Sequence, residues 1–387
     1  MDKAEKQRTV TRAFESRNVA PPVNPAFHPR KALVYRLGSM GDTLVALPAF
    51  RLVRKAFPGA RITLLTNKPV GEKAAPMELI LQNTGLHEET IEYPATLRSL
   101  RALWSLRNIL KNEHFDVLVY LAKPKGGILT SLRDYLFFRL CGIGTIIGLP
   151  FSSRHLKCRQ LPGTDLHETD CERMMPCLKS LGAADLADAR WWDLQLTASE
   201  RAEASRCLTG HGISIPFIAA SVGTKMQSKD WGESNWTALL ERLAAAHPEL
   251  GMVMIGAGDE RERSQRLLDR WTGPKANLCG SLSPRISGGV LEKAGFLTCH
   301  DSGPMHLAAS VGTPCLAIFS ARHPPGEWFP HGKQHTIFYH RTPCAGCGLE
   351  VCIEEKKKCI LSITVEEVFQ AAETRIRMMT NPPASHP

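Results

Sequence analysis

The order of apolar and polar positions predicts strands that alternate with helices. Short apolar runs without alternation occur at 32–35, 61–66 and 116–121, and stretches with helical spacing follow or separate them. Between the first two runs, residues 43–57 carry an apolar helical stripe, and Pro58-Gly59 ends it. Short, fully apolar strands between helices are typical of a parallel sheet that is covered on both faces.

The rhythm weakens between about 151 and 205 and then begins again. The second series predicts strands at 215–221, 251–256, 296–300 and 315–319, with helices at 197–212, 233–247, 259–271 and 304–312. The chain is therefore predicted to be α/β with two similar units. The expected divisions are a loose extension (1–30), an N-terminal domain (31–205), a C-terminal domain (206–362) and a C-terminal helix with a tail (363–387).

Composition supports a globular protein with an anionic partner. The 387 residues exceed one ordinary domain, and 43% are hydrophobic. Residues 1–30 lack the apolar segment of a secretory signal, and no apolar run approaches the ~20 residues that span a bilayer, so we expect a cytoplasmic protein. A net charge of +10 favours nucleic acid, a phosphorylated substrate or a membrane surface. Nucleic acid is not expected, because RNA- and DNA-binding signatures are not evident.

The twelve cysteines fall into two groups. Eight are scattered, mostly in apolar settings, and are expected to be buried thiols. The other four, Cys344, Cys347, Cys352 and Cys359, have the spacing C-x2-C-x4-C-x6-C. Four thiolates suit a structural zinc or iron, although the spacing lacks the paired C-x2-C knuckles of the commoner zinc sites. Reduced buried or redox-labile thiols are the alternative.

The stretch 299-CHDSGPMHLAAS-310 carries the strongest chemical signal. A strand is predicted to end at His300, and Gly303-Pro304 opens a helix, where proline suits the first turn. The free N–H groups of a helix start at the carboxyl edge of a parallel sheet form a site for a diphosphate. Asp301 could accept hydrogen bonds from sugar hydroxyls, or else Asp301 or Ser302 caps the helix.

At this point the sequence resembles a known family. The segments 38-GSMGDTLVALPAFRLVRKAFPGARITLLT-66 and 301-DSGPMHLAASVGTP-314 resemble glycosyltransferase family 9, the ADP-heptose:lipopolysaccharide heptosyltransferases. The resemblance extends in order through 223-GTKMQSKDWGESNWTALLERL-243, 256-GAGDERE-262 and 363-ITVEEV-368, and covers roughly residues 31 to 370. It implies the GT-B architecture of two facing Rossmann-like domains, with the acceptor on the first and the nucleotide-sugar on the second. It also implies inverting transfer that requires no metal or other cofactor for catalysis.

The resemblance assigns two catalytic roles. Asp42 matches the general base that removes the proton of the acceptor hydroxyl; the alternative is an N-cap for a helix that begins at Thr43. Lys229 matches the lysine that neutralises the departing nucleotide diphosphate, and the alternative is a solvated surface lysine.

It also suggests the binding residues. The donor set is Thr224, Lys229, Glu260, Asp301, Ser302, Gly303, Pro304, Met305 and His306, and the acceptor side has Arg36 and Gly41. Arg36 would meet an anionic acceptor or the diphosphate. His306 could instead be a core histidine, and Glu260 a charge in the first turn of a helix. Lys225 departs from the family pattern, which has a small hydroxyl residue there.

The function expected is transfer of heptose from ADP-heptose to a lipopolysaccharide core on the cytoplasmic face of the inner membrane. The partners would be ADP-heptose or another nucleotide-sugar, an anionic lipopolysaccharide-type acceptor and, peripherally, the membrane surface. One alternative keeps the enzyme class with another sugar or with an O-antigen, capsule or protein-glycan acceptor. A non-catalytic nucleotide-sugar-binding protein fits less well, because it needs no base such as Asp42. A dinucleotide-dependent oxidoreductase is disfavoured, since the first loop lacks the third glycine of G-x-G-x-x-G.

Overall fold

The computed structural model describes residues 27–68, 75–94, 99–124 and 126–380; most of the predicted extension and the end of the tail lie outside them. The described residues form two compact units. Unit 1 comprises 27–38, 45–68, 84–94, 99–124 and 126–191, and unit 2 comprises 39–44, 75–83 and 192–380. The segment 39–44, which carries Asp42, therefore groups with unit 2. The predicted helix at 197–212 also groups with unit 2.

The strands and helices alternate along most of the chain. The strands are β1 (Lys31–Tyr35), β2 (Arg61–Asn67), β3 (Glu89–Tyr93), β4 (Val117–Tyr120), β5 (Thr145–Ile147), β6 (Phe217–Ser221), β7 (Gly251–Met254), β8 (Lys275–Asn277), β9 (Leu297–His300), β10 (Cys315–Phe319) and β11 (Thr336–Tyr339). The helices are α1 (Met40–Val45), α2 (Leu47–Ala56), α3 (Met77–Leu81), α4 (Leu100–Glu113), α5 (Ile128–Leu140), α6 (Ser153–Leu156), α7 (Asp170–Met174), α8 (Ala198–Gly210), α9 (Glu233–Ala246), α10 (Arg261–Leu268), α11 (Pro284–Lys293), α12 (Gly303–Ser310), α13 (Lys358–Leu361) and α14 (Val365–Thr380). Short 3-10 turns include Gln227–Lys229 and Gly258–Glu260.

Unit 1 is built on a five-stranded parallel sheet in the order β3-β2-β1-β4-β5. The central strand β1 is almost fully buried and pairs with β2 and β4. Leu106 and Leu110 of α4 and Phe138 of α5 pack in one apolar cluster with Leu33 and Leu118 of the sheet. Both helices thus turn one face to the sheet and the other away from it.

Unit 2 contains a six-stranded parallel sheet in the order β11-β10-β9-β6-β7-β8. From β6 the chain adds β7 and β8 on one side, and then returns to add β9, β10 and β11 on the other. The strand order therefore reverses between β6 and β9. A large apolar core includes Trp231, Trp236 and Trp271, and α14 contributes to it.

The architecture confirms the predicted α/β class, and local details differ. The helix predicted over 43–57 starts earlier, at Met40, and is divided at Ala46, because Pro48 in the first turn of α2 has no N–H to continue the hydrogen-bond ladder. The four edge strands were not predicted: β3 and β11 are only half buried and polar in part, and β5 and β8 have three residues each. No helix within the described ranges is long and apolar enough to cross a membrane.

Candidate active site

The predicted donor residues follow three adjacent strands of unit 2. Thr224 and Lys229 follow β6, Glu260 follows β7, and Asp301 to His306 follow β9. The carboxyl ends of parallel strands lie at the same edge of a sheet, so the three loops share the edge that carries the strand reversal. In open α/β sheets, this is where ligands bind.

The loop after β9 leads directly into α12. Ser302 occupies the N-cap position with an extended backbone, but its side chain makes no capping hydrogen bond and instead lies 3.4 Å from the carbonyl oxygen of His300. Pro304 lies in the first turn, as predicted. The capping role considered for the Ser302 side chain is therefore not observed. Pro304 has no N–H, and the N–H of Met305 donates to the carbonyl oxygen of Ser302 at 3.2 Å, so Gly303 supplies the first-turn amide that can face a ligand.

Lys229 and Asp301 form an ion pair across the strand reversal. The Nζ atom of Lys229 lies 2.6 Å from Oδ2 of Asp301 and donates a second bond, of 3.2 Å, to its carbonyl oxygen. Both side chains are largely buried, with exposed fractions of 14% and 6%. Lys229 is therefore held in place rather than solvated. The structure brings together the two residues expected to contact the diphosphate and the donor sugar.

His300, at the end of β9, forms hydrogen bonds with the segment that follows Lys229. Its Nε2 atom accepts hydrogen bonds from the backbone N–H of Trp231, at 3.1 Å, and from the indole N–H of Trp236, at 3.3 Å. The ring is completely buried, and this burial lowers the pKa of His300 to about 4. The neutral ring can accept both bonds, so His300 fixes the position of the loop that carries Lys229 relative to β9. Sequence reasoning placed His300 at the strand end but gave it no role.

His306 lies on α12 and is packed against the segment 39–44. A Cβ atom added to Gly41 would lie 3.1 Å from Cδ2 of His306, and one added to Gly303 would lie 3.1 Å from Met40. Burial lowers the pKa of His306 to about 4, while the charge of Asp301 raises it, that of Lys229 lowers it and that of Asp42 raises it. His306 is therefore neutral at pH 7. Its electrostatic neighbours include three of the predicted site residues.

Asp42 lies in the first turn of α1. Its Oδ2 atom accepts a hydrogen bond of 2.8 Å from the backbone N–H of Ser39 and one of 3.2 Å from the Ser39 hydroxyl. The expected N-cap position before Thr43 is not observed, because the helix already begins at Met40. The bonds to Ser39 hold the Asp42 carboxylate in one orientation within unit 2.

Glu260 lies between the ends of β6 and β7. Its carboxylate accepts the backbone N–H of Ala257 at 2.9 Å. A Cβ atom on Gly223 would lie 1.8 Å from the carboxyl carbon, and one on Gly256 would lie 2.4 Å from Oε2. Both glycines are therefore needed to make room for this carboxylate, whose contact with ribose stays a prediction.

The remaining predicted ligands have mainly local or internal contacts. Thr224 Oγ1 lies 3.4 Å from the backbone N of Met226, and Lys225 is exposed. In unit 1, Arg36 is 1% exposed, lies 3.1 Å from Asp170 and donates to the carbonyl oxygen of Leu121 at 2.7 Å. Its expected contact with an anionic ligand stays a prediction.

The four clustered cysteines lie in a loop attached to the Lys229 turn. Within the described part of the chain, no group of three or more His, Cys, Asp or Glu side chains is arranged to hold a metal ion. The four thiols supply suitable donor atoms, but their arrangement does not fit a metal site. The loop is instead held through Ser228, whose N–H and hydroxyl donate to the carbonyl oxygens of Glu350 and Leu349, at 3.0 and 2.7 Å. Sequence reasoning missed this attachment, which links residues far apart in the chain.

Several known proteins are similar to this chain. Lipopolysaccharide heptosyltransferase 1 of Pseudomonas aeruginosa is 24% identical over 350 residues, which are 83% of this chain and 87% of that protein. A family 9 glycosyl transferase from Veillonella parvula has a TM-score of 0.67 at 17% identity, covering 90% of this chain and 97% of its own. The heptosyltransferase WaaC of E. coli, solved with ADP, has a TM-score of 0.58 at 20% identity, covering 89% and 99%.

The fold is of the GT-B type, with two α/β units that each contain a parallel sheet. The sequence profile described as glycosyltransferase family 9 (heptosyltransferase) matches residues 103–358, more than half of the chain. The chain belongs to glycosyltransferase family 9 and is a glycosyltransferase.

Proposed function

We propose that the protein transfers heptose from ADP-heptose to a lipopolysaccharide core by an inverting, metal-independent reaction. The observation that carries the proposal is the Lys229–Asp301 pair at the strand reversal of unit 2, beside the start of α12. A cation and the start of a helix at one sheet edge suit a diphosphate, and a carboxylate suits sugar hydroxyls.

On the donor side, Lys229 and the N–H of Gly303 at the start of α12 hold the diphosphate. Asp301 balances the charge of Lys229 through their ion pair of 2.6 Å. When donor binds, Lys229 contacts the diphosphate and Asp301 turns to hydroxyls of the sugar. Because Lys229 is largely buried, its charge is weakly screened and stabilises the negative charge that develops on the leaving nucleotide.

On the acceptor side, Asp42 acts as the general base. It takes the proton of the acceptor hydroxyl while that oxygen attacks the anomeric carbon, and the bond from this carbon to the diphosphate oxygen breaks. Attack opposite the leaving group inverts the anomeric configuration. The hydrogen bonds from Ser39 orient the carboxylate, and the Asp42 charge also offsets the positive charge of an oxocarbenium-like transition state.

The heptose and the lipopolysaccharide acceptor are supported by the relatives. The curated relative is a lipopolysaccharide heptosyltransferase, and WaaC was solved with ADP. A net charge of +10 suits an acceptor that carries phosphates and acidic sugars. We place the reaction in the cytoplasm, at the cytoplasmic face of the inner membrane.

A donor screen tests this proposal. Thermal unfolding is measured with ADP-heptose and with UDP-, GDP- and CMP-sugars at equal concentration. ADP-heptose should raise the unfolding temperature most, since a bound ligand stabilises the folded state by mass action. The variant Asp301→Asn should lose most of this shift, whereas Asp269→Asn, an exposed carboxylate of unit 2, should keep it. Stabilisation by UDP-sugars alone would contradict the heptose assignment.

A structural metal at the cysteine loop is a separate prediction, and no catalytic step passes through it. Elemental analysis of protein purified without a histidine tag, repeated on Cys344→Ser, tests it. Stoichiometric zinc or iron that is lost in the variant would support the structural metal. Protein without stoichiometric metal would refute it and agree with the arrangement of the four thiols.

A further inference from the structure

Two helices of unit 1 expose an unusual amount of apolar surface. The helices α4 and α5 contact each other, and each packs its inner face on the sheet. Six of the fourteen exposed large hydrophobic side chains in the described residues lie on these two helices. They are Leu100 (86% exposed), Trp104 (61%), Ile109 (47%), Leu129 (72%), Leu136 (52%) and Leu140 (66%). Exposed apolar side chains normally occur singly, so this concentration suggests an interaction surface.

Five of these six exposed residues follow the helical period, and Ile109 lies on the opposite side of α4. On α5, Leu129, Arg133, Leu136 and Leu140 are separated by four, three and four positions, which places them on one face. The spacing on α4 is the same, through Leu100, Trp104, Arg107 and Lys111. The guanidinium of Arg107 lies over the ring of Trp104, 4.6 Å from its centroid. We call these two stripes together the α4–α5 face.

Basic side chains lie within and beside the α4–α5 face. They are Arg101, Arg107 and Lys111 on α4, with Arg133 and Arg139 on α5. The only acidic residues of the two helices are Glu113 and Asp134. Glu113 pairs with Lys31, while Asp134 is buried and accepts hydrogen bonds from Tyr120 and Arg133. The charge presented outward is therefore positive.

Apolar and basic side chains in this arrangement match one kind of partner. Helices that lie in the plane of a membrane surface carry leucine and tryptophan on the buried face and Lys or Arg beside it. Tryptophan is favoured at the level of the headgroups, and each basic residue is attracted to anionic lipid. The core of a protein–protein interface, by contrast, is depleted in charged residues.

We infer that the α4–α5 face docks on an anionic phospholipid bilayer, with its leucines and Trp104 at the boundary of headgroups and acyl chains. The proposal gives a location to the membrane contact that the proposed function requires, because a lipid-anchored acceptor is reached from the membrane surface. The biological role of this docking rests on the proposed function. The chemical nature of the partner is inferred from the apolar and basic residues of the face.

Vesicle flotation tests the inference with the full-length protein. The vesicles contain phosphatidylglycerol and phosphatidylethanolamine, and a second set contains phosphatidylcholine alone. The triple variant Leu129→Gln/Leu136→Gln/Leu140→Gln should bind the anionic vesicles at least roughly tenfold more weakly than the wild type, since it removes three inserting side chains. The control Leu166→Gln/Ile215→Gln/Met378→Gln removes three exposed apolar groups elsewhere and should bind normally. All six positions are exposed, so both variants should fold.

Trp104 provides a second readout. Lipids brominated near the headgroup should quench part of the tryptophan fluorescence of the bound wild type. Trp104→Phe should still bind and should lose most of this quenching. Of the other six tryptophans, Trp231, Trp236 and Trp271 are fully buried and Trp192 is nearly so, while the half-buried Trp191 and Trp328 lie on neither α4 nor α5. Quenching that persists in Trp104→Phe would mean that another surface meets the lipid.

Three results would overturn the inference. One is a wild type that does not bind anionic vesicles. Another is a triple variant that binds these vesicles as strongly as its control variant does. The third is a wild-type dimer, seen by sedimentation velocity, that the triple variant abolishes, since a second copy would then cover the face. Calorimetric titration with ADP distinguishes the two proposals: loss of vesicle binding with normal ADP affinity supports the inference, whereas a wild type without ADP affinity contradicts the proposed function alone.

Discussion

The buried His300 makes the stability of unit 2 sensitive to acid. Its ring has no exposed surface and accepts two N–H donors through Nε2, so folding requires the neutral form. Burial lowers the pKa to about 4 from 6.5; Arg263 acts in the same direction, against Asp230, Asp301 and the Gly223 carbonyl. The substitution that tests this is His300→Phe, which keeps a ring of similar shape and cannot titrate.

The magnitude follows from the two pKa values. Between pH 6.5 and 4 the unfolded chain binds a proton at His300 that the folded chain does not, so the free energy of unfolding falls as the pH falls. At pH 5 the loss is about 2 kcal/mol relative to pH 7.5, by proton linkage. His300→Phe avoids this loss, but it leaves the N–H groups of Trp231 and Trp236 without their acceptor, which costs about 1–3 kcal/mol for each group at every pH.

Urea unfolding at pH 7.5 and pH 5, followed by tryptophan fluorescence, measures the effect, since Trp231, Trp236 and Trp271 report on unit 2. The variant should be less stable than the wild type at pH 7.5, and the difference should shrink by about 2 kcal/mol at pH 5. Leu243→Ala in the same core is the control, because it removes apolar contacts without a titrating group and should keep a constant difference. A difference that is equal at both pH values for His300→Phe would refute the reasoning.

Three further substitutions test other parts of the structure. Arg285→Met leaves the buried carboxylate of Glu200 without its ion pair of 2.6 Å and should lower the free energy of unfolding by about 3–5 kcal/mol; a change below 1 kcal/mol in urea unfolding would contradict this. Gly280→Ala should lower the unfolding temperature, because φ is +69° and the new Cβ would lie 2.5 Å from Cα of Gly258; an unchanged temperature would show that the contact is not tight. Lys229→Met should lower kcat by roughly 10²- to 10³-fold, and it should also lower the free energy of unfolding because the buried carboxylate of Asp301 loses its ion pair; near-normal kcat of the folded variant would remove Lys229 from the mechanism.

The central strands of both sheets could be predicted from the sequence, whereas the strands at the edges of the sheets could not. Strands such as β1, β6 and β9 are buried on both faces, so they appear as apolar runs between helices. The edge strands β3 and β11 have half-buried residues throughout, and their mixed polarity resembles that of loops. Burial at the sheet centre is thus visible in the sequence, whereas edge pairing depends on the neighbouring strand.

The candidate site was predictable as separate loops but not as a set of contacts. The motifs placed Lys229 and Asp301 at strand ends, yet nothing local shows that two residues 72 positions apart form an ion pair. Arg36 illustrates the same limit. Its position beside the first loop suggested a ligand contact, while the buried Asp170 that pairs with it lies 134 positions away. Such pairings are set by the topology of the sheet and not by spacing in the chain.

Turnover by Asp42→Asn tests the central claim most directly. Labelled heptose is supplied as ADP-heptose, and its transfer to a heptose-free lipopolysaccharide acceptor is measured for the wild type, Asp42→Asn and the exposed control Asp269→Asn. General bases contribute typically about 10²- to 10⁴-fold, so Asp42→Asn should lose at least roughly 99% of kcat and retain ADP affinity, while the control transfers normally. Transfer by Asp42→Asn at a near-normal rate, or a wild type that transfers no heptose, would contradict the account.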